Sequence, residues 1–256
     1  MGTTAALLSP PKRIVFIGVG GIGSWLVEPV LRYFQSFRAP VWFVDGDSVE
    51  EKNLSRQSFA QGETQAAKAD SVCQRMRAMF PDRDLHASVN FVTGRNVDEF
   101  VREGDLVFLS PDNHEVRRIV SSAAQCRRDI VVFTSGNEMY DGSCHVYAKT
   151  RGIELSKDFN RRHPEAVDLP GVRVGCGELI DQGAVQLIAV NFMLAAMTLM
   201  AVQHVYSYGR FRTKEEFWED VPQELYGDIR KLKIGAIAAG KPTKTDREKL
   251  EGVCSS

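Results

Sequence analysis

"RIVFIGVGGIGSWL", residues 13–26, runs from an apolar segment through Gly18, Gly20, Gly21 and Gly23 into a second apolar pattern. The first seven residues, 13–19, have the composition of a strand buried on both faces. Residues 24–37 place Leu26, Val27, Val30, Leu31 and Phe34 on one helical face, with Pro29 as a candidate kink. "APVWFVD" at 39–45 is a second strand ending in an acid. Strand, glycine turn, helix and strand make a right-handed βαβ unit. Glycine lets a ligand approach the backbone, and the helix N-terminus offers unpaired N–H groups to an anion. Asp45 stands where a ribose-binding acid belongs. To this point a dinucleotide fits as well as a nucleoside triphosphate.

Working outward, the alternation continues. Helical spacing is expected over 63–80, burying Ala69, Val72, Cys73, Met76 and Phe80, and a strand over 84–92. A short helix at 97–103 precedes a strand at 105–110, a helix at 114–128 and a strand at 129–136. This predicts a Rossmann-like, doubly wound, mostly parallel sheet. A later strand at 143–149 follows, then a long crossing loop at 151–175 without clear period. Residues 1–12 read as a flexible leader, 13–209 as the main domain, and 210–256 as an extension with an antiparallel strand or two near "LYGDIRKLKIGAIA".

The bulk numbers narrow the partners. With 256 residues, 43% hydrophobic and 25% charged, the chain has ample apolar area for a core. A net charge of -1 gives no electrostatic pull toward nucleic acid or an anionic membrane, and neither is expected as a partner. The apolar segment 184–202 nearly suffices to span a bilayer, but Gln186, Asn191 and Thr198 favour a helix buried in the domain or at a dimer contact. Five scattered cysteines, none spaced C-x-x-C, exclude a tetracysteine zinc site. Their odd number, with no signal peptide evident, suggests reduced thiols in a cytoplasm.

The stretch after Asp45 separates the two ligands. "VDGDSVEEKNLSRQSF" supplies Asn53, Arg56 and Gln57. A nicotinamide site has no need of that arginine unless it takes a 2′-phosphate, whereas a triphosphate needs cations and amides along its length. Lys68 falls near the start of the helix expected from Glu63, where a cation opposes the macrodipole unless an anion sits beside it. Asp112 directly follows the strand at 105–110, at the end of the sheet where open parallel folds bind ligands. A carboxylate there suits Mg²⁺ beside a polyphosphate. It equally suits a cap on the helix that follows, and both roles are open.

In order, "GVGGIG", "VDGDSVEEKNLSRQ", "GETQAAK" and "SPDNHEVR" resemble the ThiF/MoeB/HesA family of the ubiquitin-activating-enzyme superfamily, over about residues 13–205. The resemblance implies an adenylyltransferase that activates the C-terminal carboxylate of a small ubiquitin-like or sulfur-carrier protein, releasing pyrophosphate. It implies ATP and Mg²⁺ as cofactors, a homodimer, and no structural zinc, since the paired C-x-x-C of many members is absent. It assigns Gly18, Gly20, Gly21, Gly23, Asp45 and Asp47 to the nucleoside side. Asn53, Arg56, Gln57 and Lys68 go to the phosphates, and Asp112, with Asn113 beside it, to the metal. Arg56, Lys68 and Asp112 are therefore the catalytic candidates. Cys176, in "VRVGCGELIDQGAV" with Arg173 nearby, occupies the place of the family's transfer cysteine; the plainer reading is a small buried hydrophobe.

Two other classes remain beside this one. A nicotinamide-dependent oxidoreductase accounts for the glycines and Asp45 but gives Arg56, Lys68 and Asp112 no task. His86, His114, His145, His163 and His204 are isolated in the sequence and offer no hydride-transfer acid. An inactive scaffold of the same fold has no reason to keep all three charges.

Overall fold

The computed structural model describes residues 8, 10–166, 188–207, 221–230 and 233–237. Its centre is a parallel sheet of β1 (Arg13–Ile17), β2 (Val41–Val44), β3 (Leu85–Ser88), β4 (Asp105–Leu109) and β5 (Ile130–Asn137). These lie in the order β3-β2-β1-β4-β5, so the chain reverses direction across the sheet between β1 and β4. Three further strands continue the sheet antiparallel: β6 (Asp141–Thr150), β8 (Glu224–Asp228) and β9 (Lys233–Ile237). The two-residue β7 (Ile153–Glu154) pairs with β6. The Rossmann-like α/β fold and the antiparallel extension both match the sequence expectation.

Alternation along each strand sends side chains to two separate cores. On one face Phe16 lies opposite Phe43 and Phe108 in register, and Phe108 lies opposite Phe133. Their rings stack in a row with centroids 4.8–5.7 Å apart. Helices α1 (Gly23–Tyr33), α2 (Lys68–Met79) and α6 (Ile188–Ser207) close over this row. On the other face Val15, Ile17, Val107, Leu109 and Val132 pack with α3 (Val97–Phe100) and α4 (His114–Gln125). The predicted face of α1 is fully buried, and the helix runs through Pro29.

Several boundaries differ from expectation: the strand expected over 84–92 is only Leu85–Ser88, and the helix expected over 97–103 ends at Phe100. The helix predicted from Glu63 begins at Lys68; a 3-10 turn occupies Gln61–Glu63 and Gln65 adopts φ 73. The intervening backbone is diverted to Val49: Gln65 N donates to Val49 O, and Val49 N to Ala66 O, both at 2.8 Å. That pairing spends the groups a helix needs. The stretch expected to be a loop from 151 carries β7 and the short α5 (Phe159–Arg162), whose Asp158 cap accepts from Arg161 N. Helix α6 is long and apolar enough to cross a membrane. Val190, Leu194, Met197, Ala201, Val202 and Val205 join the first core, while Ile188, Phe192 and Met200 stay exposed.

Candidate nucleotide cleft

A cleft of about 910 Å³ opens at the carboxyl ends of β1, β2 and β4. Its floor is the glycine turn. Gly18, at φ 83, takes a conformation that costs side-chain-bearing residues energy, and a Cβ there would meet Ser110 O at 2.7 Å. Ser110 Oγ donates to Gly18 O at 2.9 Å, tying β4 to the turn. Gly20 and Gly21 line the cleft. Gly23, assigned to the ligand by sequence, does not. A Cβ on it would collide with the Gly18 carbonyl oxygen, so its place is inside the turn, closing α1 onto β1.

Half-buried Asp45 locks the turn from β2. Its Oδ2 accepts Val19 N–H at 2.8 Å and its Oδ1 accepts Asp47 N–H at 3.0 Å. Each oxygen keeps a lone pair for a ligand hydroxyl. Burial pushes its carboxyl above the usual range, and the Lys68 charge works against that.

Lys68 is the first residue of α2 and nine-tenths buried. Its Nζ pairs with Asp47 Oδ2 at 2.9 Å, and its N–H donates to Asp47 O at 2.9 Å. The anion that the macrodipole argument requires is thus Asp47, whose side chain is half exposed toward the cleft.

Arg56 and Gln57 come from the loop after a 3-10 turn at Glu51–Asn53. Asn53 Oδ1 accepts Glu50 N–H at 2.9 Å, so this buried asparagine shapes the loop as well as lining the cleft. Arg56 is 4% exposed; its Nη1 donates to Lys52 O at 3.0 Å. Its carbonyl accepts from Trp25 Nε1 at 3.1 Å and Asn191 Nδ2 at 3.0 Å. Helices α1 and α6 therefore hold this loop against the glycine turn, a role for Trp25 and Asn191 that the sequence does not announce. Gln57 Oε1 is buried with no hydrogen-bond partner among the described residues. The side chain lies against Gly20.

The two roles left open for Asp112 separate here. The cap of α4 is Asn113, whose Oδ1 accepts Val116 N–H at 2.9 Å. Asp112, facing the cleft beside it, is exposed and makes no hydrogen bond or ion pair among the described residues. Among the described residues nothing competes with a cation for its carboxylate. His114 opens α4. Cys176 lies outside the described residues.

The far wall of the cleft joins residues that are distant in sequence. His163 Nε2 lies 3.4 Å from Glu224 Oε1, Arg162 Nε lies 3.4 Å from Glu224 Oε2, and His145 packs behind with ring centroids 5.9 Å from His163. Burial works against the charged form of His163, but Glu224 and Glu165 hold its pKa above the ordinary value. Burial alone would raise Glu224; His163 brings it down to about 2. Burial drives His145 down to about 4.

Residues 9–217 match the family model described as ThiF family. The sulfur carrier protein ThiS adenylyltransferase of Bacillus subtilis is 32% identical over 115 residues, 44% of this chain and 33% of the relative. The tRNA threonylcarbamoyladenosine dehydratase of Escherichia coli is 29% identical over 137 residues, 53% of this chain and 50% of the relative. These alignments span a third and a half of the curated relatives' lengths. The crystal structure of E. coli MccB with ATP superposes with a TM-score of 0.66 at 16% identity, covering 90% of this chain and 65% of that one. That likeness concerns the fold. With more than three-quarters of its length matched by one family model, the chain belongs to the ThiF family.

Proposed function

We propose that this protein uses ATP to adenylylate a carboxylate carried on the C-terminal tail of a small ubiquitin-like or sulfur-carrier protein. One observation carries the reading: Asp45, Arg56, Lys68 and Asp112, the last without a partner among the described residues, converge on a single cleft built on a glycine turn. Arg56 and Lys68 on its wall, with the Asp112 carboxylate in the same cleft, suit a triphosphate with its metal, and a nicotinamide cofactor gives them no task. Two relatives named as sulfur carrier protein adenylyltransferases support the acyl substrate. Other relatives are named tRNA threonylcarbamoyladenosine dehydratase; a net charge of -1 supplies no bulk electrostatic pull toward a nucleic acid, which favours the protein substrate.

In the step proposed, a substrate carboxylate oxygen attacks the α-phosphorus of ATP. The bond to the bridging oxygen breaks, pyrophosphate leaves and an acyl adenylate remains. Asp45 orients the ribose through its oxygens. Lys68, positioned by Asp47, and Arg56, positioned by Trp25 and Asn191, neutralise charge growing on the phosphates. Among the described residues no group of three His, Cys, Asp or Glu gathers around a metal. Asp112 in the cleft would hold Mg²⁺ through a carboxylate oxygen, and the ion would add to the neutralisation of phosphate charge. Cys176 remains the proposed acceptor for any transfer to the protein.

Calorimetry tests this directly. Micromolar binding of ATP with Mg²⁺, about tenfold weaker in Asp112→Asn, with no heat from NAD, is the expected result. Because Asp112 makes no hydrogen bond or ion pair among the described residues, the variant's melting temperature is expected to stay at the wild-type value. Binding of NAD in place of ATP overturns the proposal.

A further inference from the structure

Asp112 lies in the segment Ser110–Asn113, whose other three residues are each tied down. Ser110 N donates to Ile17 O at 2.9 Å and its hydroxyl to Gly18 O at 2.9 Å, which fixes the start of the segment to β1. Asn113 caps α4 at the end of it. Between them, Pro111 O accepts from Arg117 Nη2 at 2.8 Å. Arg117 is the fourth residue of α4. Helical side chains lean toward the helix N-terminus, so an arginine there reaches back to the backbone just before the cap. The Pro111 carbonyl stands outside the helical ladder and needs a donor of its own, and a guanidinium supplies a charge-assisted one. The guanidinium is itself seated on β5. Its Nη2, Nη1 and Cζ lie 2.6, 2.7 and 2.8 Å from where a Cβ on Gly136 would stand. A side chain at 136 would take the arginine's place, which accounts for a glycine in this strand. Arg117 and Gly136 line the same cleft as Asp112, so one side chain ties the ends of β4 and β5 together beside the carboxylate.

We propose that Arg117 is the positioning residue of Asp112: seated on Gly136 and bonded to the Pro111 carbonyl, it fixes the backbone from which the Asp112 carboxylate meets the Mg²⁺ of bound ATP. The proposal rests on the ATP reading above and adds to it the residue that orients the metal carboxylate. An exposed aspartate on an unfixed segment loses conformational entropy each time a metal binds, and a backbone held beforehand removes part of that cost. Groups that orient a metal ligand without touching the metal commonly govern affinity by about 10- to 100-fold. Arg117 bonds the backbone beside Asp112 and not its carboxylate, so it does not compete with the metal.

The experiment measures calorimetric binding of ATP with Mg²⁺, and of ATP in EDTA, together with the melting temperature of each protein. The proteins are wild type, Arg117→Gln, Arg117→Lys, Gly136→Ala, and Arg117→Gln in the Asp112→Asn background. Arg117→Gln is expected to weaken ATP with Mg²⁺ by up to roughly tenfold, the ceiling set by Asp112→Asn, and to leave metal-free ATP unchanged. In the Asp112→Asn background it adds no further loss, because it acts through that carboxylate. Arg117→Lys keeps a donor for Pro111 O and recovers most of the affinity. Gly136→Ala keeps the charge but displaces the flexible guanidinium end, so it shows the same metal-dependent loss, and it carries the test if Arg117→Gln does not fold. Equal loss with and without metal, or a further loss in the double variant, makes Arg117 a phosphate contact and overturns the proposal. Unchanged or tighter binding of ATP with Mg²⁺ in Arg117→Gln, whatever its melting temperature, also overturns it. Wild type that binds ATP equally with and without Mg²⁺ overturns the proposal and leaves the ATP reading standing; wild type that binds no ATP overturns both.

Discussion

At the scale of single residues, the cleft is built so that its charges have assigned neighbours before any ligand arrives. Lys68 is the sharpest case. Buried at the first position of α2, it meets the unfavourable end of the helix dipole; Asp47 compensates as its ion-pair partner, with the Asp45 charge nearby. Replacing it by glutamine removes the cation but also relieves that conflict. Since Asp47 remains half exposed and solvated, the expected cost in stability is at most about 1 kcal/mol, read from urea unfolding. ATP affinity, by contrast, is expected to fall at least tenfold in calorimetry. A large drop in stability with intact ATP binding would make Lys68 a structural residue. The sequence placed Lys68 near a helix start and asked for an anion there, but it named a phosphate and not Asp47. The two residues meet only because the backbone from 64 to 67 is drawn to Val49, an effect of tertiary pairing at Gln65 that no local propensity encodes.

At the scale of elements, the helix that follows β4 separates two adjacent residues that read alike in sequence. Asp and Asn are both good caps, and "PDNHEVRR" allows either. In the structure Asn113 caps α4, which releases Asp112 toward the cleft. Asn113→Ala is expected to cost about 1 kcal/mol in unfolding experiments. It should also weaken ATP with Mg²⁺ modestly, because Asp112 sits on the turn that the cap fixes. Asn113→Asp retains a cap, so it should restore stability; failure to do so would show that the hydrogen bond to Val116 is not what holds the turn. The strands and helices from β1 to β5 were legible because their apolar runs are long, and several stop at a glycine, proline or acid, as β1 does before Gly18, β2 before Asp45 and α2 shortly before Pro81. Beyond β6 that legibility fades. The pairing of β8 with β6 depends on contacts made across much of the chain, and α5 is too short to leave a period.

At the scale of the whole molecule, the fold gathers His145, His163, Glu224 and Arg162 from β6, β8 and α5 into one buried group at the far wall of the cleft. Each histidine is isolated in the sequence, so nothing short of the folded sheet reveals the cluster. Its consequence is a pH dependence whose sign can be worked out. His145 is driven by burial from an ordinary 6.5 to about 4. Between those values the unfolded chain binds a proton that the native chain refuses. Stability therefore falls as pH drops from 6.5 toward 4, by about 3 kcal/mol if the whole shift is realised, and is flat again below 4. Glu224, held at about 2 against an ordinary 4.5, adds its own loss only below pH 4.5. His163 is shifted upward, so its contribution is complete below 6.5 and is lost as pH rises through its folded value. Among these three groups, the window from pH 4.5 to 6.5 thus belongs to His145 alone. Its ring already packs edge-on to Phe159, with centroids 6.1 Å apart, so an aromatic replacement suits the site. His145→Phe is expected to match wild type near pH 7.5 and to lose the acid slope across that window in a series of urea melts. An unchanged slope would mean that other groups carry the acid sensitivity, and a variant equally destabilised at every pH would mean that His145 serves through packing alone.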